Sequence, residues 1–186
     1  MCRFKIVAAV AVAVGAVGGS LLTAMPAYAQ STYAGKVTAN GGLLVRHLPT
    51  TASAVEGRVS NGHRIEIICK VRGSSVNGED LWYSLPPTLN EWVSVGYVQS
   101  IGPAPRWCGS SERFVGRTTT ALSRREAPTA ASAKVGSLTR GADVDIICKL
   151  EGQSVAGNNR WYFLTDHRWV AARYVDNVGR APRWCN

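Results

Sequence analysis

The sequence predicts an all-β protein: two tandem copies of one small β-barrel, each with one intradomain disulfide, after a cleavable signal peptide. Three observations lead to this expectation. An internal repeat covers most of the 186 residues, short segments alternate with period two, and four of the five cysteines occupy equivalent places in the repeat. Period-two alternation is typical of half-buried strands, and an even number of cysteines in a secreted chain indicates a disulfide framework.

The first 29 residues have the layout of a secretory signal peptide. Arg3 and Lys5 form a short positive head, residues 6–22 are almost wholly apolar, and residues 27–29 (AYA) form a small-x-small cleavage site. The alternative, a membrane anchor, is disfavoured because glycines interrupt the apolar run and no basic stop-transfer cluster follows it. We therefore expect cleavage after Ala29 and a secreted, extracellular protein, free or associated with the cell wall, without a membrane span.

The chain is basic, with a formal net charge of +9 at pH 7. A basic secreted protein meets anionic envelope polymers, such as phosphate-bearing wall polymers. The basic residues are spread along the sequence instead of forming a cluster of the kind that binds nucleic acid. Generic surface charge is the favoured explanation, and binding to such polymers is the alternative. We expect no nucleic-acid partner and count anionic wall polymers among the candidate partners.

Both copies of the repeat end on the same five residues, APRWC, at 104–108 and 181–185. Equivalent residues lie 79 positions apart up to Trp82 and Trp161, and 77 apart after a two-residue deletion in the second copy. A repeat of this length predicts a structural unit that occurs twice. The expected segments are a signal peptide at 1–29, a first domain at 33–108, a polar linker at 109–113 and a second domain at 114–185.

Each copy predicts several short strands that are separated by glycine-rich turns. Residues 65–71 (IEIICKV) and 144–150 (VDIICKL) alternate with period two. The turn-rich segments GSSVNGED and GQSVAGNN follow, and further short strands are expected at LWYSL and EWVSV and at their counterparts RWYFL and RWVAA. This organisation indicates a small barrel or sandwich, whose core of about 70 residues commonly needs a covalent crosslink.

The cysteines supply that crosslink, because Cys2 leaves with the signal peptide and four remain. Four cysteines allow three pairings. Each copy holds one strand cysteine and one terminal cysteine, so the repeat favours Cys69–Cys108 and Cys148–Cys185, which let each copy close itself. Metal ligation and nucleophilic catalysis are disfavoured, since the chain has no C-x-x-C pair and no histidine recurs beside a cysteine. We expect no metal and no cofactor.

The ordered motifs of each copy resemble the bacterial Src-homology-3 (SH3b-type) domain family. The family pattern runs L-x-V-R-x-x-P, then a glycine before the next strand, then G-W-Y, and finally G-W-V-x-x-x-Y-V/L. The matching residues of the first copy are Leu43, Val45, Arg46, Pro49, Gly62, Trp82, Tyr83, Trp92, Val93, Tyr97 and Val98. Those of the second copy are Leu122, Arg125, Pro128, Gly141, Trp161, Tyr162, Trp169, Val170, Tyr174 and Val175.

The resemblance covers nearly all of the chain after the signal peptide and implies a strongly bent barrel of five to six strands in each copy. The PRWC ends are an addition typical of a secreted, actinobacterial-looking subgroup. The chain departs from the family pattern at Arg124, which stands where the pattern has valine, and at Leu48 and Ala127, which replace the glycine before proline.

The repeat offers little for catalysis, and we expect that the protein is not an enzyme. None of the three histidines has a histidine at the equivalent place of the other copy. An acid–base residue used by both copies should recur. The recurring carboxylate, Glu66 in one copy and Asp145 in the other, stands near a lysine on a predicted strand, which indicates a cross-strand pair.

Aromatic residues favour binding instead. All six tryptophans lie in the repeat, three in each copy, and a tryptophan suits a groove that holds an extended backbone or a sugar. The resemblance places several of these side chains, with tyrosines and arginines, in a ligand groove. The expected ligand-binding residues are Arg46, Trp82, Trp92, Tyr97, Arg125, Trp161, Trp169 and Tyr174. For Trp92 and Trp169, packing in the core is an equal alternative.

The resemblance favours a secreted, non-catalytic protein that binds bacterial cell-wall peptidoglycan peptides through paired grooves. Ser94 and Ala171 stand where the eukaryotic groove carries proline, which weakens the case for a proline-rich ligand. Two weak grooves on one repetitive polymer would gain avidity. The alternative is a secreted protein–protein interaction factor: an inhibitor, an adhesin or a subunit of a surface complex.

Overall fold

The computed structural model describes residues 33–87 and 90–185. The expected signal peptide, residues 1–29, lies outside the described residues. The regular structure of the described part consists of strands and two three-residue 3-10 turns, Val95–Tyr97 and Ala172–Tyr174, so the all-β expectation is confirmed. No helix in these segments is long and apolar enough to cross a bilayer.

Strands fill both copies of the repeat, and all neighbouring strands within the sheets are antiparallel. The first copy contains β1 Tyr33–Val37, β2 Leu43–Arg46, β3 Val55–Val59, β4 Arg64–Ile67, β5 Cys69–Val76, β6 Glu79–Ser84, β7 Trp92–Ser94 and β8 Val98–Ile101. The second contains β9 Phe114–Thr118, β10 Leu122–Arg125, β11 Lys134–Leu138, β12 Asp143–Val155, β13 Asn158–Leu164, β14 Trp169–Ala171 and β15 Val175–Val178.

The two copies share one strand order. In the first copy, one sheet has the order β4-β1-β8 and the other has the order β3-β2-β7-β6-β5. In the second copy, β12 is a single strand of 13 residues that pairs with β9 along its first part and with β13 along its second part. It therefore joins the equivalents of both sheets into one of seven strands, β11-β10-β14-β13-β12-β9-β15. Each copy is barrel-like, with strands wrapped around its own apolar core.

Each copy buries its own apolar cluster. The first cluster is built around Val37, Ile67 and Val93, which are wholly buried. The second is built around Ile146 and Val170 at the equivalent places. The inward residues of each strand alternate with exposed ones, as in β4, where Ile65 and Ile67 are buried while Arg64 and Glu66 are exposed. The period-two alternation of the sequence thus corresponds to the inner and outer faces of the barrel wall.

A third buried cluster joins the two copies to each other. It contains the four disulfide cysteines and four tryptophans together with smaller apolar residues: Cys69, Val71, Trp82, Trp92, Cys108, Ile147, Cys148, Leu150, Trp161, Phe163, Trp169, Ala171 and Cys185. Trp92 and Trp169 have no exposed surface. A contact of this size and apolar character fixes one copy against the other more firmly than a flexible linker would.

The disulfides Cys69–Cys108 and Cys148–Cys185 are present, which confirms the expected pairing. The APRWC segment of the first copy runs parallel to β5: the N–H of Lys70 donates to the carbonyl of Arg106 at 2.8 Å, and the N–H of Cys108 donates to the carbonyl of Lys70 at 2.9 Å. Lys149 makes the same two bonds in the second copy, with distances of 2.8 and 3.0 Å.

Each disulfide also lies close to the terminal cysteine of the other copy. The Cys69 sulfur is 3.9 Å from the carbonyl oxygen of Cys185, and the Cys148 sulfur is 3.8 Å from that of Cys108. The APRWC segment of each copy therefore contacts the strand cysteine, Cys69 or Cys148, of the other copy. The repeated APRWC segment closes each barrel and also forms the seam between the two.

Candidate ligand-binding grooves

A concave groove occupies an equivalent place in each copy. Their volumes are about 270 Å³ in the first copy and about 380 Å³ in the second. Most of the lining residues correspond through the repeat. The equivalent pairs are Gly42 and Ala121, Leu43 and Leu122, Leu44 and Ser123, Arg46 and Arg125, Thr51 and Ala130, Val76 and Val155, Trp82 and Trp161, Ser94 and Ala171, and Tyr97 and Tyr174.

Six of the eight residues expected to bind ligand line these grooves. They are Arg46, Trp82 and Tyr97 in the first groove and Arg125, Trp161 and Tyr174 in the second. The structure does not bring Trp92 and Trp169 to the grooves, since both are wholly buried in the cluster that joins the copies. Their location fits the packing alternative. Contact of the other six with a ligand stays a prediction.

The groove tryptophans form the floor and use their N–H groups internally. The indole Nε1 of Trp82 donates to the carbonyl of Ser74 at 2.9 Å, and that of Trp161 donates to the carbonyl of Gln153 at 2.8 Å. Each residue keeps only 2% of its surface exposed. The tryptophans therefore lie beneath the groove as its apolar base, with a small patch open to a ligand and no free hydrogen-bond donor.

The groove arginines are anchored by one N–H each. Nη1 of Arg46 donates to the carbonyl of Ser53 at 2.8 Å, and Nη1 of Arg125 donates to that of Ser132 at 2.6 Å. A guanidinium has five N–H donors in a planar fork, so this bond orients the group and leaves donors for a ligand. Both arginines are half-buried at the end of their strands.

The loop that carries the arginine's acceptor is held against the groove wall. In the first copy, the Ser53 hydroxyl donates to the carbonyl of Leu48, and the N–H of Ser74 in β5 donates to the carbonyl of Pro49 at 3.0 Å. The second copy repeats both features at Ser132 and Gln153. The loop is therefore a fixed part of each groove.

The first groove contains a second arginine that the sequence did not single out. Arg58, on β3, lines the groove and donates through Nη1 to the carbonyl of Gly41 at 2.6 Å. Its equivalent in the second copy is Ser137, so Arg58 carried no repeat signal. Its alignment with Leu44 in the β2–β3 register is what brings it to the groove.

The two grooves also differ at the floor. Ser94 is 4% exposed, and its hydroxyl oxygen is buried without a hydrogen-bond partner among the described residues. Ala171 has a methyl group at that place. Neither groove is lined by an aspartate or a glutamate. In residues 33–87 and 90–185, no group of three or more histidines, cysteines or carboxylates is arranged to hold a metal ion.

No protein-family model and no curated protein matches this chain. Similar solved structures include one titled "Endolysin LysPBC5 CBD", with a TM-score of 0.30 and 10% identity over 80% of this chain and 95% of that one. Two others are NlpC2 and NlpC1 from Trichomonas vaginalis, with TM-scores of 0.28 and 0.27, identities of 13% and 12%, and coverage of 79% and 84% of this chain. This chain spans about half of those two proteins, 48% and 49%. Similarities this weak do not assign the chain to a family.

Proposed function

We propose that this protein is a non-catalytic, extracellular binding protein that holds peptidoglycan peptides of a bacterial cell wall in its two grooves. The observation that carries the proposal is the recurrence of one groove frame in both copies. Each groove combines an apolar tryptophan floor, an anchored arginine and a half-buried tyrosine at equivalent places. The recurring arginine holds the neighbouring loop through one N–H, and its remaining N–H groups can bind a ligand beside those rings.

The chemistry of the grooves suits a short stretch of peptide. An extended peptide alternates small apolar groups with backbone donors and acceptors, and each groove has an apolar floor with polar groups at its edge. The volumes of about 270 and 380 Å³ lie near the lower end of the range of about 300–1,000 Å³ for small-molecule sites. A segment of a few small residues fits that space better than a folded partner does.

The joined core gives the pair of grooves a further advantage. Because buried residues of both copies pack in one cluster, the grooves keep a fixed relation to each other. A polymer that repeats the same short peptide can then occupy both grooves, and the second contact is intramolecular. Two individually weak contacts would thereby hold the protein on a wall.

Purified wall sacculi test the proposal directly. The mature protein is incubated with sacculi at moderate salt, the sacculi are pelleted, and the supernatant is assayed, with and without the anionic wall polymers. We expect the protein to pellet in both cases. The double variant Tyr97→Ala/Tyr174→Ala, checked for folding by near-ultraviolet circular dichroism, should pellet at least tenfold less. Arg140→Ala, at an exposed residue outside both grooves, should behave as the unaltered protein.

Retention of the unaltered protein in the supernatant under all conditions would contradict wall binding. The remaining candidate would then be a secreted protein partner, which a pull-down from culture supernatant would seek. The same incubation measures soluble fragments released from the sacculi, and we expect none, since the proposed role is binding without cleavage.

A further inference from the structure

We propose that the two grooves are not equivalent in ligand choice: the first binds a peptide segment that ends in a free carboxylate, with Arg58 and Ser94 as specificity-determining residues, and the second binds neutral backbone. The inference rests on the proposed function, because it assumes that the grooves bind peptide. It adds the chemical class that each groove selects.

The first groove is lined by two arginines that make no ion pair with any described residue. Arg46 and Arg58 both line it, and each spends one N–H on a backbone carbonyl. Among the described residues, no carboxylate lies within 4.0 Å of either guanidinium. Six other described arginines make such pairs, as Arg72 does with Asp80 at 2.5 Å, whereas the rest, including Arg125 of the second groove, do not. The first groove differs in holding two unpaired arginines together. Two guanidiniums that each keep N–H groups for a ligand favour a carboxylate, which accepts charge-assisted bonds from an arginine.

The hydroxyl of Ser94 is the second, independent observation. It lines the first groove, is almost wholly buried, and has no partner among the described residues. Buried hydroxyls are nearly always hydrogen-bonded, because an unpaired one loses its bonds to water and gains nothing. Its oxygen has almost no accessible surface in the present rotamer, so a ligand in the groove bonds it only when the side chain turns to another staggered position. Turned toward the groove, the Ser94 hydroxyl can donate to a ligand oxygen there.

The second groove keeps the frame and lacks these groups. Ser137 stands at the place of Arg58, Ala171 at the place of Ser94, and Ala130 at the place of Thr51. Arg125 remains, together with the tryptophan floor and the tyrosine. A single anchored arginine can bond backbone carbonyls of a neutral segment. The difference between the grooves is thus a difference of charge and hydrogen bonding at a common site.

Two peptides that differ only at their ends test the inference. Tri-alanine as the free acid and tri-alanine with a C-terminal amide are titrated into the isotope-labelled mature protein. The indole N–H signals of Trp82 and Trp161 report on the two grooves separately, because each indole forms one groove floor. We expect the Trp82 signal to respond to the acid with at least tenfold higher affinity than to the amide. The Trp161 signal should show no such preference.

Variants that copy one groove into the other sharpen the test. Ser94→Ala should weaken acid binding at the first groove by about threefold to tenfold, the range that corresponds to one ordinary hydrogen bond. Arg58→Ser should weaken it by about tenfold or more, since the bond to carboxylate is charge-assisted. The double change Ser137→Arg/Ala171→Ser should give the second groove a preference for the acid. Arg140→Ser, which removes an equal charge at an exposed place, should leave both grooves unchanged.

Equal response of Trp82 to acid and amide, or equal preference at both grooves, would overturn the inference. So would acid binding that survives Ser94→Ala and Arg58→Ser at full strength. If sacculi pellet the protein while the acid has no advantage, wall binding stands and this inference fails. If the acid is preferred at Trp82 while the protein stays in solution with sacculi, this inference stands and wall binding fails.

Discussion

The indole Nε1 of Trp169 donates a hydrogen bond to the backbone carbonyl of Arg72 at 2.8 Å, and this bond crosses from the second copy to the first. Its counterpart in the repeat, Trp92, is equally buried, yet its Nε1 has no partner among the described residues. The two tryptophans are therefore equally buried, and the hydrogen bonds that they make at the seam differ.

This asymmetry predicts unequal effects of two identical substitutions. Trp169→Phe and Trp92→Phe remove the same atoms from wholly buried places, but only Trp169→Phe also breaks a hydrogen bond and leaves the carbonyl of Arg72 without that donor. We expect Trp169→Phe to lower the free energy of unfolding by about 1–2 kcal/mol more than Trp92→Phe does. Urea unfolding followed by circular dichroism measures the difference. Equal losses would show that the bond contributes nothing to stability.

The contact between the disulfides predicts that their contributions are coupled. The sequence separations within the two bridges are 39 and 37 residues, so loop-closure entropy assigns roughly 4 kcal/mol to each. Cys69→Ala/Cys108→Ala and Cys148→Ala/Cys185→Ala should each lower the free energy of unfolding by roughly that amount. The sulfur of Cys69 contacts the carbonyl oxygen of Cys185, and the sulfur of Cys148 contacts that of Cys108. Removing one disulfide should therefore weaken the packing around the other.

The coupling is measured by a cycle that compares the two double variants with the variant that lacks all four cysteines. We expect the loss in the fourfold variant to be smaller than the sum of the separate losses by at least about 0.5 kcal/mol. Additive losses would mean that the two disulfides contribute independently to the free energy of unfolding, in spite of their contact.

The repeat made much of the fold predictable. Equivalence of Cys69 with Cys148 and of Cys108 with Cys185 selects one pairing out of three, and alternation in β4 identifies which residues face inward. How the copies pack together left no such signal. Periodicity within one copy indicates which residues are buried. It does not distinguish a tryptophan that packs inside its own barrel from one that packs against the neighbouring barrel.

The candidate site was predictable only where the two copies agree. Arg46 and Arg125 recur, and both line grooves. Arg58 and its serine counterpart differ, so reasoning from recurrence passed over the residue that makes the first groove distinct. Arg124 shows the same limit: it replaces the buried Val45 of the first copy and reaches Asp166 at 2.6 Å, an ion pair specific to the second copy.

A stacked histidine on the seam predicts a pH dependence of stability. The imidazole of His167 lies 3.8 Å from the ring of Trp107, nearly parallel to it. Burial, and next the positive charge of Arg72, lower the pKa of His167 below its ordinary value of 6.5. Asp166 opposes this shift, and Arg113 and Arg168 add to it. Since the unfolded chain takes up this proton at a higher pH than the folded protein, the contribution is complete above about pH 6.5 and falls as the pH drops below it.

His167→Asn tests this expectation, because asparagine also accepts the left-handed backbone of residue 167, whose φ is 59°. Urea midpoints are measured at pH 7.5 and pH 5.5. We expect the unaltered protein to lose more stability between the two values than the variant does. His47, His63 and the carboxylates are common to both proteins and cancel in the comparison. An identical pH dependence would rule out His167 as its source.

The loop between β2 and β3, residues 47–54, packs closely against Gly73 of β5. This close packing predicts that one substitution affects both stability and ligand binding. A Cβ at Gly73 would lie 2.1 Å from the carbonyl oxygen of Pro49 and 2.5 Å from Cδ1 of Trp82, so an alanine there must push the loop away. We expect Gly73→Ala to lower the free energy of unfolding by about 1–3 kcal/mol and to weaken ligand binding in the first groove.

Gly57 provides a matched control. A Cβ at Gly57, in β3 of the same copy, meets nothing within 4 Å. Gly57→Ala should therefore leave stability unchanged or raise it by up to about 1 kcal/mol, because alanine loses less backbone entropy on folding. Thermal unfolding and the Trp82 indole signal measure both effects, and equal behaviour of the two variants would contradict the tight packing of the loop against the groove floor.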